Sequence, residues 1–464
     1  MKQLGMIGLG VMGASLARNF ARHGVAVVGY DRDVAKAREV AARYPDAKIT
    51  VADSLESLVK AMERPRRIVV LVVAGKPVDA VLDGLDPLLE EGDVVVDAGN
   101  SLYTDSDRRA ARAGSRPWRF MGMGVSGGEE GALWGPSMMP GGDRAAWESM
   151  RDGLEAVAAR SESGPCVTYC GAGSAGHFVK MVHNGIEYGD MQLIAEVTTL
   201  LREGMGVSAE RAADVFARWN EGELQSYLVE ITADILRVKD ADGSPLVDAI
   251  LDKAGQKGTG RWTVIAAAEL GVAIPTIAAA VDARVLSSQK GLRVEAAGAY
   301  GARRGSLSDI TEEDLGDALY GAKIASYTQG FQLLAAASEA RGYGTSLPEV
   351  ARVWTAGCII RARFLDRVRA AFARDPAPAL LALSPDFVDD LRRRLPAWRK
   401  VVAAAAASGY TSPGLSASLS WLDTLTAARG SASMIQAQRD YFGAHTYERL
   451  DAPGVAVHTR WSRS

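Results

Sequence analysis

The stretch Gly8-Leu9-Gly10-Val11-Met12-Gly13 decides how the amino-terminal part of the chain is read. It closes a short apolar run, Gln3–Leu9, and opens a segment of helical spacing, Ala14–His23. G-x-G-x-x-G at a strand-to-helix turn suits a dinucleotide. The first glycine permits the tight turn, the second lets backbone approach a pyrophosphate, and the third lets the helix pack on the strand. The phosphates then face the N–H groups of a helix N-terminus. Asp31 follows the β-branched run Val25–Tyr30, where an acidic residue is expected to meet an adenosine ribose. Taken alone, Asp31 also reads as a turn or cap residue.

Working outward, Ile68–Val73 and Val94–Asp97 are further apolar runs with helical stretches between them. Short apolar strands alternating with helices predict a parallel sheet covered on both faces, a Rossmann-type α/β domain over residues 1–175. From Gly176 the alternation stops. Val179–Glu203, Ala209–Asn220, Glu223–Lys239, Ala318–Glu339 and Asp386–Ala407 carry helical periodicity, predicting a large all-α domain over 176–430. Residues 431–464 lose that periodicity and read as a tail whose partners lie elsewhere. A chain of 464 residues is long for a single core.

Composition excludes several classes of function. A net charge of −3 gives no basic field for nucleic acid or an anionic membrane, so an anionic substrate would need a local basic site. No stretch approaches the ~20 apolar residues of a membrane span, and the first residues lack a signal h-region. The expectation is a soluble cytoplasmic protein. Cys166 and Cys170 have zinc-like spacing, but no second cysteine pair follows. We read all three cysteines as reduced thiols and expect no metal.

The most informative later stretch is His177–Asp190. Lys180, His183, Asn184, Glu187 and Tyr188 stand at i, i+3, i+4, i+7 and i+8, which share one helix face. That face gathers a base, an imidazole, an amide, an acid and a phenol. Lys180 and Glu187 lie roughly 10.5 Å apart along the axis, enough to bracket a sugar acid. Such stripes are most often solvated faces; the position of this one at a domain junction favours a site. The glycine-rich Gly124–Gly142 lacks a GK[ST] signature. It reads either as a mobile connector or as a backbone cradle for an anion.

With these residues in view, the sequence resembles the long form of decarboxylating 6-phosphogluconate dehydrogenase over nearly its whole length. The resemblance rests on Gly8–Gly13, Asp97–Ser101, Gly124–Gly142, Phe178–Gln192, Ile250–Thr263, Ala318–Phe331 and Gln438–His445. It implies that Lys180 is the general base and Glu187 the general acid, with His183 and Asn184 beside them. Asn100, Ser126, Gly127, Gly128, His183 and Asn184 would hold the sugar-acid end. Tyr188, Lys257, Thr259, Arg284, Arg439 and His445 would hold the phosphate. The tail residues would act across a homodimer. Gly8, Leu9, Gly10, Val11, Met12, Gly13, Asp31, Arg32, Asp33, Val72, Val73, Ala74 and Asn100 would line the nicotinamide cofactor.

Three departures stand out. Leu133 replaces the family's arginine, Thr355-Ala356 replaces its Arg-Gly, and Asp31-Arg32-Asp33 replaces its Asn-Arg-Thr. The last predicts NAD as cofactor, with NADP as the alternative. Two other readings stay open: another β-hydroxyacid dehydrogenase, such as one acting on 3-hydroxyisobutyrate, or a catalytically inactive nucleotide-binding sensor.

Overall fold

The computed structural model describes residues 1–301, 304–376 and 378–461. β1 (Gln3–Ile7), β2 (Ala26–Tyr30), β3 (Thr50–Val51), β4 (Arg67–Val70), β5 (Val94–Asp97), β6 (Arg119–Ser126) and β7 (Ser137–Gly142) form one sheet in the order β3-β2-β1-β4-β5-β6-β7. Its central strands β1, β4 and β5 are buried on both faces, as their apolar runs require. Val69, Val94 and Val96 face one core with Leu16 and Phe20 of the helix Val11–Arg22; Ile68, Val70 and Val95 face a second core with Leu58 and Leu82.

Two features depart from the sequence reading. The sheet is mixed, because β7 pairs antiparallel with β6. The stretch Gly124–Gly142 is no mobile connector; it is the end of β6, a short helix Gly128–Trp134, and β7. Its glycines serve close packing. A Cβ built on Gly124 would lie 2.2 Å from Lys180 Cβ, and one on Gly122 would lie 2.7 Å from His177 Nδ1. Only bare backbone lets the helix Ala175–Thr199 lie this close to β6.

That 25-residue helix is buried on nearly every side, not only along one stripe. It packs against the 30-residue helix Glu312–Arg341, which opens on a Thr311/Asp314 capping box, whereas Ser174 makes no side-chain cap at the start of the first. The first helix also packs on both β6 and β7. By contact the chain divides into two compact units, Met1–Ser418 and Leu419–Ser464. The second unit is also better ordered than its sequence suggests, with a helix Ala432–Gly443 and a hairpin, Tyr447–Arg449 with Ala452–Val457. No helix among the described residues is long and apolar enough to cross a membrane.

Candidate active site

The glycine turn has the geometry that its spacing predicts. Gly8 adopts φ +93°, and a Cβ there would lie 2.4 Å from Leu71 O; a Cβ on Gly13 would lie 1.9 Å from Gly8 O. Gly10 has open space around its Cα and heads a helix with neither a side-chain cap nor an acid in its first turn. Those free N–H groups suit a pyrophosphate. Asp31 sits at the mouth of this turn. Its Oδ2 accepts from Leu9 N at 2.8 Å and its Oδ1 from Asp33 N at 3.0 Å. Asp33 caps the next helix by accepting from Lys36 N at 3.2 Å, while Arg32 is exposed. Val72, Val73 and Ala74 occupy the loop after β4, with Val73 well exposed.

A residue that the sequence gave no reason to single out braces this region. Arg109 is wholly buried. Its guanidinium donates to Asp79 Oδ1 (2.8 Å), Asp97 Oδ2 (3.0 Å), Ser101 Oγ (3.1 Å) and Gly75 O (3.0 Å). One planar fork thus ties the loop after β4 to the loop after β5, where Asn100 is exposed. Only its place on a helix C-terminal to Asp97-Ala98-Gly99-Asn100-Ser101 hinted at this.

On the long central helix the polar stripe comes together. The His183 ring lies with Nε2 3.2 Å from Ser126 Oγ, and with Nδ1 3.3 Å from Lys180 Nζ and 3.1 Å from Asn184 Oδ1. Glu187 Oε2 is 3.7 Å from the same Nδ1. Trp354 packs edge-on against the ring, a contact no motif announced. Burial is the dominant influence on all three titratable groups. It lowers the Lys180 amine against the opposing pull of Glu187, and raises the Glu187 carboxyl against Lys180 and Arg284. It also drives His183 well below its usual 6.5, reinforced by the Lys180 charge. The imidazole thus lies between a hydroxyl, an amine and an amide. The amine and carboxyl are displaced toward one another, the condition for a base and an acid near neutral pH.

A second polar group lies beyond Tyr188. Arg284 stacks 3.5 Å over the Tyr188 ring, and Gly260 lies so close that a Cβ there would be 2.7 Å from that ring. Gly260 is in the first turn of the helix Thr259–Glu269, whose N-cap Gly258 adopts φ +99° and is preceded by the exposed Lys257. An uncapped helix N-terminus, a guanidinium, an ammonium and two hydroxyls suit a dianion. Arg439 and His445 lie in the other compact unit and are exposed there. Between them, Asp440 is buried and accepts from Thr446 N, His458 Nδ1, Thr459 N and Trp461 Nε1.

Comparison with known proteins follows this geometry. Residues 3–171 match the NAD binding domain of 6-phosphogluconate dehydrogenase, and residues 176–461 match the C-terminal domain of 6-phosphogluconate dehydrogenase. The chain is 51% identical to the decarboxylating 6-phosphogluconate dehydrogenase of Synechococcus elongatus, over 99% of both chains.

The chain belongs to the 6-phosphogluconate dehydrogenase family.

A chloroplastic decarboxylating 6-phosphogluconate dehydrogenase of Arabidopsis thaliana is 48% identical over 100% of this chain and 98% of its own. Among solved structures, the Plasmodium falciparum 6-phosphogluconate dehydrogenase superposes with a TM-score of 0.95 at 41% identity, covering 99% of this chain and 100% of that one. That protein was described with its cofactor NADP+ and its substrate 6-phosphogluconate. Two departures of this 6-phosphogluconate dehydrogenase sequence now have places. Leu133 is half-buried in the short helix after β6, and Thr355 Oγ1 donates to Arg352 O at 2.7 Å in the turn after the helix Leu347–Val353. Neither touches the polar stripe.

Proposed function

We propose that this chain catalyses the oxidative decarboxylation of 6-phosphogluconate to ribulose 5-phosphate and CO2, with reduction of NAD(P)+, as a step of the pentose phosphate pathway. The observation that carries this reading is the cluster of buried Lys180 and His183 with half-buried Glu187, with Ser126 on one side and the Tyr188/Arg284 group on the other. Lys180 takes the proton of the C3 hydroxyl. The bound nicotinamide supplies the hydride acceptor for C3. The resulting carbonyl lies β to the carboxylate, so the electrons of the breaking C–C bond flow onto it as CO2 leaves. Lys180, now protonated, donates to that oxygen, and Glu187 delivers a proton to the enediol carbon. Asn100, Ser126, Gly127, Gly128, His183 and Asn184 orient the sugar acid. Tyr188, Lys257, Thr259 and Arg284 receive the phosphate, joined by Arg439 and His445 of a second copy.

Support for a homodimer lies in the tail. It exposes Met434, Ile435, Tyr441 and Phe442, an apolar surface that an isolated unit would not leave in water. For the cofactor we infer NAD over NADP. Asp31 is held beside the glycine turn, and its remaining lone pairs suit ribose hydroxyls, whereas a 2′-phosphate would meet like charge. Asp33 is occupied as a helix cap, so the preference rests on Asp31 against the single exposed Arg32.

The test is kcat/KM with 6-phosphogluconate and with 3-hydroxyisobutyrate, each with NAD and NADP. Turnover of the phosphorylated sugar acid alone is expected. Preference for 3-hydroxyisobutyrate, or turnover of neither, would overturn the reading.

A further inference from the structure

One turn past Glu187, the central helix carries a second buried polar cluster that the proposed reaction leaves unused. Asp190 Oδ2 lies 2.5 Å from Lys323 Nζ and 3.1 Å from Tyr327 Oη. All three side chains are almost entirely buried. A buried ion pair is a weak source of stability, because desolvation offsets most of the attraction and apolar residues of like volume often serve as well. Its presence in a core therefore calls for another reason.

Two positions supply one. The pair sits where the two longest helices approach most closely. A Cβ on Gly189 would lie 2.6 Å from Ser326 Oγ, and one on Gly330 would lie 2.5 Å from Ile186 Cδ1. Smooth glycine contacts allow sliding, whereas one ion pair at the crossing fixes register. The second position is the loop after the helix Leu347–Val353. Tyr327 Oη also lies 3.1 Å from Ile360 O, and its one proton serves either Asp190 or this carbonyl. The same loop holds Gly357, whose carbonyl accepts from Ser137 N at 2.9 Å and lies 2.6 Å from where a Cβ on Gly127 would stand. It also holds Cys358, whose buried thiol is pushed up to about 12.

Around Glu187 the charged and titratable groups are Lys180, His183 and Asp190 on its own helix, and Arg284 on the helix Pro275–Ser288. Tyr327 and the Lys323 paired with Asp190 come from the helix Glu312–Arg341, and Cys358 lies beyond Lys180. Asp190 is the nearby negative charge that favours a protonated Glu187.

We propose that Asp190, Lys323 and Tyr327 are positioning residues for the reaction. They lock the register of the helix that carries Lys180 and Glu187, join it to the loop behind Gly127, and hold a compensated negative charge one turn behind the acid. This rests on the activity proposed above. Parent turnover tests that activity, and the variants test the positioning.

The experiment compares full-length Asp190→Asn, Lys323→Met and the double variant by melting temperature, cofactor affinity and the pH profile of kcat/KM. Each single variant leaves one buried charge unpaired and should melt lower. The double variant should recover its melting temperature and bind cofactor normally, yet keep kcat at least tenfold down. In Asp190→Asn the loss of the negative charge leaves Lys323 uncompensated and disfavours protonated Glu187, so the alkaline limb should move to lower pH. Titrating the Glu187 carboxyl by infrared difference against Glu187→Gln reads the same shift without turnover. A double variant with recovered melting and native kcat would overturn the proposal, since the pair would then be structural only. Should the double variant melt low, Tyr327→Phe decides, because it spares the ion pair. A several-fold fall in kcat at unchanged cofactor affinity supports positioning; native kcat overturns it.

Discussion

Burial acts on Lys180 and Glu187 in opposite directions, lowering the amine from its usual 10.5 and raising the carboxyl from its usual 4.5. A base works unprotonated, so activity should fall as pH drops through the lowered Lys180 value. An acid works protonated, so activity should fall as pH rises through the raised Glu187 value. The profile of kcat/KM should be a bell lying between those two ordinary values. Lys180→Ala should lose roughly 10²–10⁴-fold in kcat, and Lys180→Arg should not rescue it, because guanidinium does not give up its proton. Fluorescence titration should show cofactor binding intact in both. At the cofactor end, Asp31→Asn should shift the kcat/KM ratio toward NADP by roughly tenfold or more, as one charge-assisted contact of ~1.5–3 kcal/mol implies. An unchanged ratio would mean that Arg32 sets the choice. The stripe was legible because helical spacing alone puts its members on one face. Arg109, Trp354 and the Asp190–Lys323 pair were not, since each acts through contacts with residues far off in the chain.

Elements meet at glycines in this protein, and the two kinds of glycine in the first turn should respond differently. Gly13→Ala drives a methyl into Gly8 O and should cost about 1–3 kcal/mol of stability, seen in denaturant melts. Gly10→Ala meets no protein atom, so melting should hold while the KM for cofactor rises. Equal melting losses would show that the turn is packed rather than open at Gly10. For the tail, a chain ending at Gly430 lacks Arg439 and His445. It should show a raised KM for 6-phosphogluconate and weaker dimerisation by sedimentation, against an unchanged KM if the phosphate site is complete within one subunit. Sequence periodicity placed the helices Ala175–Thr199, Ala209–Glu221, Tyr227–Arg237 and Pro385–Ala407 to within about four residues, entered Glu312–Arg341 late, and gave no range for Pro275–Ser288 or Pro413–Thr426. It missed β3, β6, β7 and the ordered tail for separate reasons. β3 is two residues long, β6 and β7 are interrupted by glycine, and the tail is organised by one buried carboxylate, Asp440, rather than by an apolar stripe.

Across the whole molecule, the sheet carries the glycine turn and the loops after β4 and β5, the central helix carries Lys180, His183 and Glu187, and the glycines of β6 and β7 bring helix and sheet into contact. Domain class followed from the change of periodicity near Gly176. The shared core across that point did not, because packing of the helix on β6 and β7 depends on which glycines face it. In the proposed reaction one buried lysine and one half-buried glutamate carry both oxidation and decarboxylation, with the ketone β to the carboxylate as electron sink. The direct measurement is product stoichiometry from 6-phosphogluconate and NAD+ in the presence of a chelator. Reduced cofactor, CO2 and ribulose 5-phosphate should form in equal amounts at an undiminished rate. Reduced cofactor without matching CO2, or activity lost to chelator and restored by a divalent cation, would contradict it.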